Sequence, residues 1–321
     1  MPTGEPFRVT AIIAAYNEAD VIAQVVGDFI HQGVQVYLID HGSTDGTAES
    51  VSHFLGRGLL RVERFPEESG FPVEDAGRFA WESILHRKEL LARELESEWF
   101  IHSDADEFRE SPWPGRSLHD AIRAVDHLGF NAVDFALLNF RPTHDDFRAG
   151  DDVRAAFPYY EPGAEFEKLQ IKAWKNTGAP VDLVSEGGHD VQFPDRRVFP
   201  IRFLLRHYPI RSQAHGERKI LRDRRPRVIP FERTHYEWHV QYDHYHPGQS
   251  LLHDPATLIK FDPEAARLEL LLRHRELESL QATAHQLTLD LQSAQSALAE
   301  IQSSPLLRLS EAARNALRKL K

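Results

Sequence analysis

The sequence contains no cysteine. Disulfides and thiolate metal sites are therefore excluded, and a reducing compartment is the simpler expectation. No stretch approaches 18 consecutive apolar residues, so no membrane-spanning helix is expected. The opening "MPTGEPFRVT" has neither the basic segment nor the apolar core of a secretory signal, and a soluble cytoplasmic chain is the reading. Two phosphate-binding fingerprints are missing as well. There is no G-x-G-x-x-G run and no Walker-type loop, which argues against dinucleotide binding and P-loop chemistry. Net positive charge is also lacking: 38 basic against 49 acidic residues give −11, which disfavours a nucleic-acid-binding body.

What is present is enough for a large core, with 321 residues of which 41% are hydrophobic. The first 140 residues alternate short apolar runs with helical periodicity, the pattern of a sheet fed by crossover helices. "RVTAIIAAY" reads as a buried strand. Val21, Ile22, Val25, Val26, Phe29 and Ile30 then recur at three- and four-residue steps and predict an amphipathic helix. "VQVYLID", "LLRVERF", "WFIHSDADEF" and "AVDFALLNF" read as further strands. Helices are expected over 75–95 and "SLHDAIRAVDHLG", and over "STDGTAESVSHFLGRG" with Ser43 or Thr44 as N-cap. From 141 to 262 the pattern is irregular, and a mixed segment laid over the working edge of the sheet is expected.

Beyond "FDPEA" the composition shifts. Leu277, Leu280, Ala284, Leu287, Leu291, Ala294, Leu298 and Ile301 follow alternating steps of four and three, which reads as a coiled-coil seam or a single helix packed on its own domain. The end carries Arg308, Arg314, Arg318, Lys319 and Lys321 against Glu311 alone. It reads either as a basic amphipathic helix resting on anionic lipid or as an ordinary solvated helix. The expected parts are thus 1–140, 141–262 as a second half of the same catalytic domain, 263–303 as the coiled-coil helix and 304–321 as the basic tail. A homo-oligomer through the coiled coil and a peripheral contact with the inner face of the plasma membrane would follow from them.

In a parallel sheet, ligands sit beyond the carboxyl ends of the strands. Three polar ends converge there: "YNEAD" (Tyr16–Asp20), "DHGSTDGT" (Asp40–Thr47) and "DADEF" (Asp104–Phe108). Residues two apart in extended backbone face the same side, so Asp104 and Asp106 are expected to meet one ligand together. Paired carboxylates suit a hard divalent cation, Mg²⁺ or Mn²⁺, which keeps positions open for substrate phosphates. By itself "DAD" is equally a solvated turn. Asp40 can accept hydrogen bonds from a base or ribose, and the small residues after it allow a tight turn.

"AIIAAYNEAD", "YLIDHGSTDGT" and "FIHSDADEF", in that order and spacing, resemble the nucleotide-sugar-binding half of family 2 glycosyltransferases over roughly residues 7–140. "GGHDV" and "LLRHYPIRSQAHGERKILRDR" resemble a bacterial subgroup of that family. The fold this implies is α/β of GT-A type, a Rossmann-like, doubly wound mixed sheet, here with a C-terminal α-helical or coiled-coil extension. By the resemblance, Ala15, Tyr16, Asn17, Glu18, Asp40, Gly42, Ser43 and Asp104 would hold the nucleotide sugar. Asp104 and Asp106, as a D-x-D motif, would position the cation on the diphosphate, with His207 a third ligand or a diphosphate contact. His41 stands where a second acid usually follows Asp40, so base and ribose preferences differ. Arg206, Arg211 and Lys219 either counter phosphate charge or solvate a face. Inverting transfer needs a carboxylate base near the acceptor. "VDLVSEGGHDVQF" offers Glu186, Asp190 and also His189, or is a structural loop. The histidines of "THYEWHVQYDHYHPGQSLLH" do not match a zinc spacing, and Trp238, Tyr242 and Tyr245 are flat surfaces on which sugar rings stack.

The activity expected from this is a metal-dependent, inverting transferase, of hexosyltransferase type, moving sugar from a nucleotide donor to a glycan or lipid-linked acceptor in cell-surface polysaccharide or glycoconjugate biosynthesis. A sugar nucleotidyltransferase is the alternative enzyme, although "AAYNEADVIAQ" lacks the Gly-rich basic loop such enzymes carry. An inactive coiled-coil scaffold is the alternative outside catalysis.

Overall fold

A computed structural model describes residues 7–70, 78–162, 169–238, 240–272, 286–289 and 291–296. The chain divides into two units, Met1–Leu270 and Leu271–Lys321. In the second unit residues 286–289 and 291–296 are helical, with Leu287 and Leu291 exposed. Leu277, Leu280, Ala284, Leu298, Ile301 and the basic tail over 304–321 lie outside the described residues. Among those residues no helix is long and apolar enough to cross a membrane.

The first unit is built on one mixed sheet. Its parallel half consists of β1 (Val9–Ala15), β2 (Gln35–Asp40), β3 (Leu59–Arg64) and β4 (Trp99–Asp104), in the spatial order β3-β2-β1-β4. The register sets Ala15 beside Asp40 and Ala14 beside Asp104, so the three polar strand ends emerge at one level. β1, β2 and β4 are buried on both faces, which is why they read as continuous apolar runs, whereas β3 leaves Leu60, Arg61 and Arg64 exposed. Helices α1 (Ile22–His31), α3 (Trp81–Glu94) and α4 (Leu118–His127) cover them, while α2 (Thr47–Ser50) is a single turn. The buried face of α1 is Ile22, Val25, Val26 and Phe29, the stripe its periodicity predicts.

Three expectations change. The carboxylate-rich segment is two strands: β4 stops at Asp104, a turn holds Ala105 and Asp106, and β5 (Glu107–Glu110) leaves antiparallel to β9 (Val198–His207). The helix over "STDGTAESVSHFLGRG" shrinks to α2 and a 3₁₀ turn, Ser52–Phe54. Its cap is Gly46 in left-handed conformation, so the hydroxyls of Ser43 and Thr44 lie too early to cap it. Finally, 141–262 is not merely laid over the sheet. With β6 (Ala132–Phe140), it supplies β7 (Tyr159–Pro162), β8 (Ile171–Lys175), β9 and β10 (Ile259–Lys260), which extend the same sheet. β8 inserts antiparallel between β4 and β6, a non-local pairing that periodicity cannot reveal.

Helix α1 depends on its apolar stripe because it carries no acid in its first turn and no side-chain cap. Phe29→Ala removes its largest buried side chain and is expected to destabilise the unit by about 3–5 kcal/mol. A urea titration checks this, and a loss under about 1 kcal/mol would show that the helix does not rely on this stripe.

Candidate active site

A cavity of about 670 Å³ opens beyond the carboxyl end of β4. Asp104, Asp106 and Glu18 line one side of it, with Lys219 among them. Lys219 Nζ lies 2.9 Å from Glu18 Oε1 and 2.8 Å from Asp106 Oδ2, bridging the ends of β1 and β4. Arg211, fully buried, donates to Glu18 and, at 2.7 Å from both Nε and Nη2, to Asp20. Both cations come from the stretch after β9, where Ser212 caps α6 (Gln213–Arg218) and a π-helical turn, Lys219–Arg224, follows.

Glu107, the third acid of "DADEF", is not a ligand in this arrangement. It is buried, accepts from Lys172 at 2.9 Å and Arg109 at 2.6 Å, and accepts the backbone N–H of Asp104 at 3.1 Å. It therefore orients the turn that presents Asp104. Burial alone would raise the pKa of Glu18, Asp106 and Glu107. Lys219 and Arg211 nevertheless hold Glu18 down, Lys219, His207 and Arg211 hold Asp106 well down, and Lys172 and Arg109 hold Glu107 down. Asp104 differs. Burial and then Glu107 push its carboxyl up, and among the described residues that carboxylate has neither a hydrogen bond nor an ion pair.

Glu18, Asp20 and His215 are, among the described residues, the group of three whose donor atoms lie within 4.8 Å of one another. Arg211 fills that space: one guanidinium nitrogen, Nη2, contacts Glu18, Asp20 Oδ1 and, at 2.9 Å, His215 Nε2. A cation there would have to displace a buried arginine, so this is an internal ion cluster. Asp104 and Asp106 suit a hard divalent ion better. Asp104 has an open carboxylate, and Asp106 gives only Oδ2 to Lys219. Such ions commonly take one or two carboxylates plus substrate oxygens. His207 is placed against Asp106, with Nε2 3.5 Å from Oδ1 and Nδ1 2.8 Å from Asn139 Oδ1. Burial opposes its protonation, but Asp106 raises its pKa above the ordinary histidine value.

Ala15, Tyr16, Asn17, Asp40, Gly42 and Ser43 lie at the ends of β1 and β2 and on the loops that follow, and none is among the residues lining this cavity. The two loops are knitted together: Asn17 N–H donates to Ser43 Oγ at 3.0 Å, Thr44 N–H to Asn17 Oδ1 at 2.9 Å, and Glu18 N–H to Thr47 Oγ1 at 2.9 Å. Asn17 takes a left-handed backbone, φ 56°, to make these contacts. Asp40 is buried at the base, with Ser43 N–H 3.3 Å from Oδ1. His41 packs among Tyr16, Phe65 and Phe79, and burial, then Arg227 and Arg224, drive its pKa down to about 3. Arg227 lies 3.6 Å over the Tyr16 ring and Arg224 3.8 Å over Phe79. Arg224 also lines the cavity, and its buried Nη1 has no partner among the described residues.

On the other side of the cavity, the expected bases separate. Asp190 is buried against Arg196 and Gln192, so its carboxylate is an internal ion-pair partner. Glu186 is exposed on the Gly-Gly turn and does not line the cavity. His189 does line it, hydrogen bonded to Gln170 at 3.1 Å and lowered to a pKa of about 4 by burial and Lys172. Trp238 and Tyr242 are on the wall, whereas Tyr245 is buried away from it. Arg206 pairs with Glu110 and stacks on Phe140 and Phe261, a structural position. Absent from the sequence reading are Trp81, Phe79, Tyr236, Glu237 and Arg224, all lining the cavity.

A model described as "Glycosyl transferase family 2" matches residues 10–73. The crystal structure of S. aureus TarS is similar at 13% identity, covering 67% of this chain and 39% of that one, with a TM-score of 0.36. TarS 1–349 in complex with UDP-GlcNAc is similar at 13% identity, covering 65% and 61%, also with a TM-score of 0.36. This chain thus spans less than two thirds of either. No curated protein matches.

Removing Arg211 would leave the half-buried Asp20 without its cation and take one of two cations from the buried Glu18. Arg211→Met is expected to destabilise the unit by about 3–5 kcal/mol, read as a lower urea midpoint. The three depressed carboxylates also set an acid limit. A folded-state pKa below the unfolded one stabilises fully above the unfolded value and is lost as pH falls through the folded value. Stability should therefore hold at pH 6 and drop steeply below about pH 4. An unchanged urea midpoint at pH 3 would contradict the ion cluster.

Proposed function

We propose that this chain, whose residues 10–73 match the glycosyl transferase family 2 model, is a transferase that moves a sugar from a nucleotide donor to a glycan or lipid-linked acceptor, with inversion, in the making of a cell-surface polysaccharide or glycoconjugate. The observation that carries the reading is the position of Asp104: an unpaired carboxylate on the wall of a large cavity, at the carboxyl end of a central parallel strand next to the matched segment. Residues 1–140 hold the donor, and 141–262 build the acceptor side and supply the basic residues that close the donor side.

Ala15, Tyr16, Asn17, Asp40, Gly42 and Ser43 take the nucleoside, with Asp40 as acceptor for base or ribose donors. The diphosphate faces Lys219 and Arg224, both on the cavity wall. Asp104 and Asp106 would hold Mg²⁺ or Mn²⁺, which when bound offsets negative charge developing on the departing diphosphate. His207 orients Asp106 through their contact at 3.5 Å, and Glu107 fixes the turn behind Asp104. The aromatic wall opposite excludes water from the reacting centre.

The deciding experiment is a panel of nucleotide sugars with Mn²⁺, reading free nucleoside diphosphate. One donor should turn over well above the rest. Because Asp104 has no ion partner to lose, Asp104→Asn should leave the melting temperature within a few degrees while lowering turnover by at least about 100-fold. Release of pyrophosphate from a nucleoside triphosphate instead would support a nucleotidyltransferase.

A further inference from the structure

We infer that Glu237 is the catalytic base that takes the proton of the acceptor hydroxyl. The inference rests on the transferase reading above. Four carboxylates line the cavity: Glu18, Asp104, Asp106 and Glu237. Glu18 and Asp106 are bridged by Lys219, and Asp104 sits with them at the strand ends, where the diphosphate is held. Glu237 alone of the four comes from elsewhere. It is exposed, and among the described residues it has no hydrogen bond or ion pair.

Its placement is built. Helix α7 (Pro230–Tyr236) ends at Glu237, which takes the left-handed conformation at φ 57° and ψ 24°. That geometry is uncommon for a side chain larger than glycine or asparagine, and it ends the helix where Glu237 meets the cavity. Glu232 of α7, buried, accepts the backbone N–H groups of Trp81 at 3.3 Å and Glu82 at 2.9 Å, fastening α7 to the start of α3. On either side of Glu237, Tyr236 and Trp238 stack with ring centroids 4.2 Å apart. Trp238 in turn seats on Gly187, where an added Cβ would come within 2.8 Å of its indole nitrogen, and Gly188 seats against His102 just as closely. His102 and Asp104 alternate onto one face of β4 and both line the cavity. A continuous wall therefore runs from Asp104 through His102 and the Gly-Gly turn to Trp238 and Glu237. Glu237 lines the cavity at this aromatic end, between Tyr236 and Trp238, suited to a sugar acceptor resting on their rings.

In the step assigned to it, the acceptor oxygen bonds to the anomeric carbon while its proton passes to the Glu237 carboxylate. The bond from the anomeric carbon to the phosphate oxygen breaks, and its electron pair leaves with the nucleoside diphosphate. The proton is later given to solvent.

The test uses the full chain, the nucleotide sugar that turns over in the panel with Mn²⁺, and water or a panel of oligosaccharides as acceptor. Glu237→Gln should lower turnover by about 10²–10⁴-fold, with the calorimetric affinity for the nucleoside diphosphate and the melting temperature unchanged. In Glu237→Ala, added formate should restore part of the rate, which a merely structural residue would not allow. Turnover within threefold of the native chain in Glu237→Gln, or an equal loss of nucleotide affinity, overturns the assignment. No turnover of any donor by the native chain would instead overturn the transferase reading itself.

Discussion

The bridge made by Lys219 between Glu18 and Asp106 is the contact on which the site depends. Parallel strands deliver their polar ends to one level, so the acids that can serve a ligand are also forced close to one another. Buried carboxylates at such separations repel strongly unless cations are built in beside them. Lys219 and Arg211 serve on one side of the turn, and Lys172 and Arg109 on the other. Every carboxylate of the cluster is thereby held except Asp104. The one left open lines the cavity beside the paired Glu18 and Asp106.

The same contact explains why the second half of the chain cannot be an accessory. Three of the four cations that neutralise these strand ends come from the second half, Lys172 from β8 and Arg211 and Lys219 from the segment after β9, while Arg109 belongs to β5. A π-helical turn places Lys219 and Arg224 toward the cavity, a local departure from α-geometry of the kind often found at functional sites. The aromatic wall then depends on two further long-range fits, Glu232 on the start of α3 and Trp238 on the Gly-Gly turn. The two halves of the chain are thus parts of one sheet, tied through buried charge.

Much of the fold was legible because β1, β2 and β4 are largely apolar and the covering helices carry clear stripes, as in Ile22–Phe29. The strand ends were legible for the same reason, since polarity begins where each strand leaves the core. β8 and β9 were not, because their partners are strands far away in sequence and "IKAWK" has no periodicity of its own. The division of the acids was likewise hidden. Asp104, Asp106 and Glu107 look alike in a row, and only Lys172, Arg109 and Lys219 distinguish the structural acid from the open one. Asp190 looked as available as Glu186 until Arg196 was found against it. The left-handed end of α7 was the one missed feature with a visible trace, since "HYEWH" puts an acid between two aromatics directly after a helix that begins at Pro230.

By itself the sequence determined most of the strands and helices of the first half, the point in each strand where polarity begins, and the absence of thiol chemistry. Those follow from local periodicity and composition, which need no partner. Tertiary structure alone decided which carboxylates are neutralised and which is left to a ligand. It also decided which glutamate meets the cavity. Charge pairing and cavity walls are largely relations between residues far apart in the sequence, as Lys219 is from Glu18 and Asp106, and their energies exist only when folding brings the partners together.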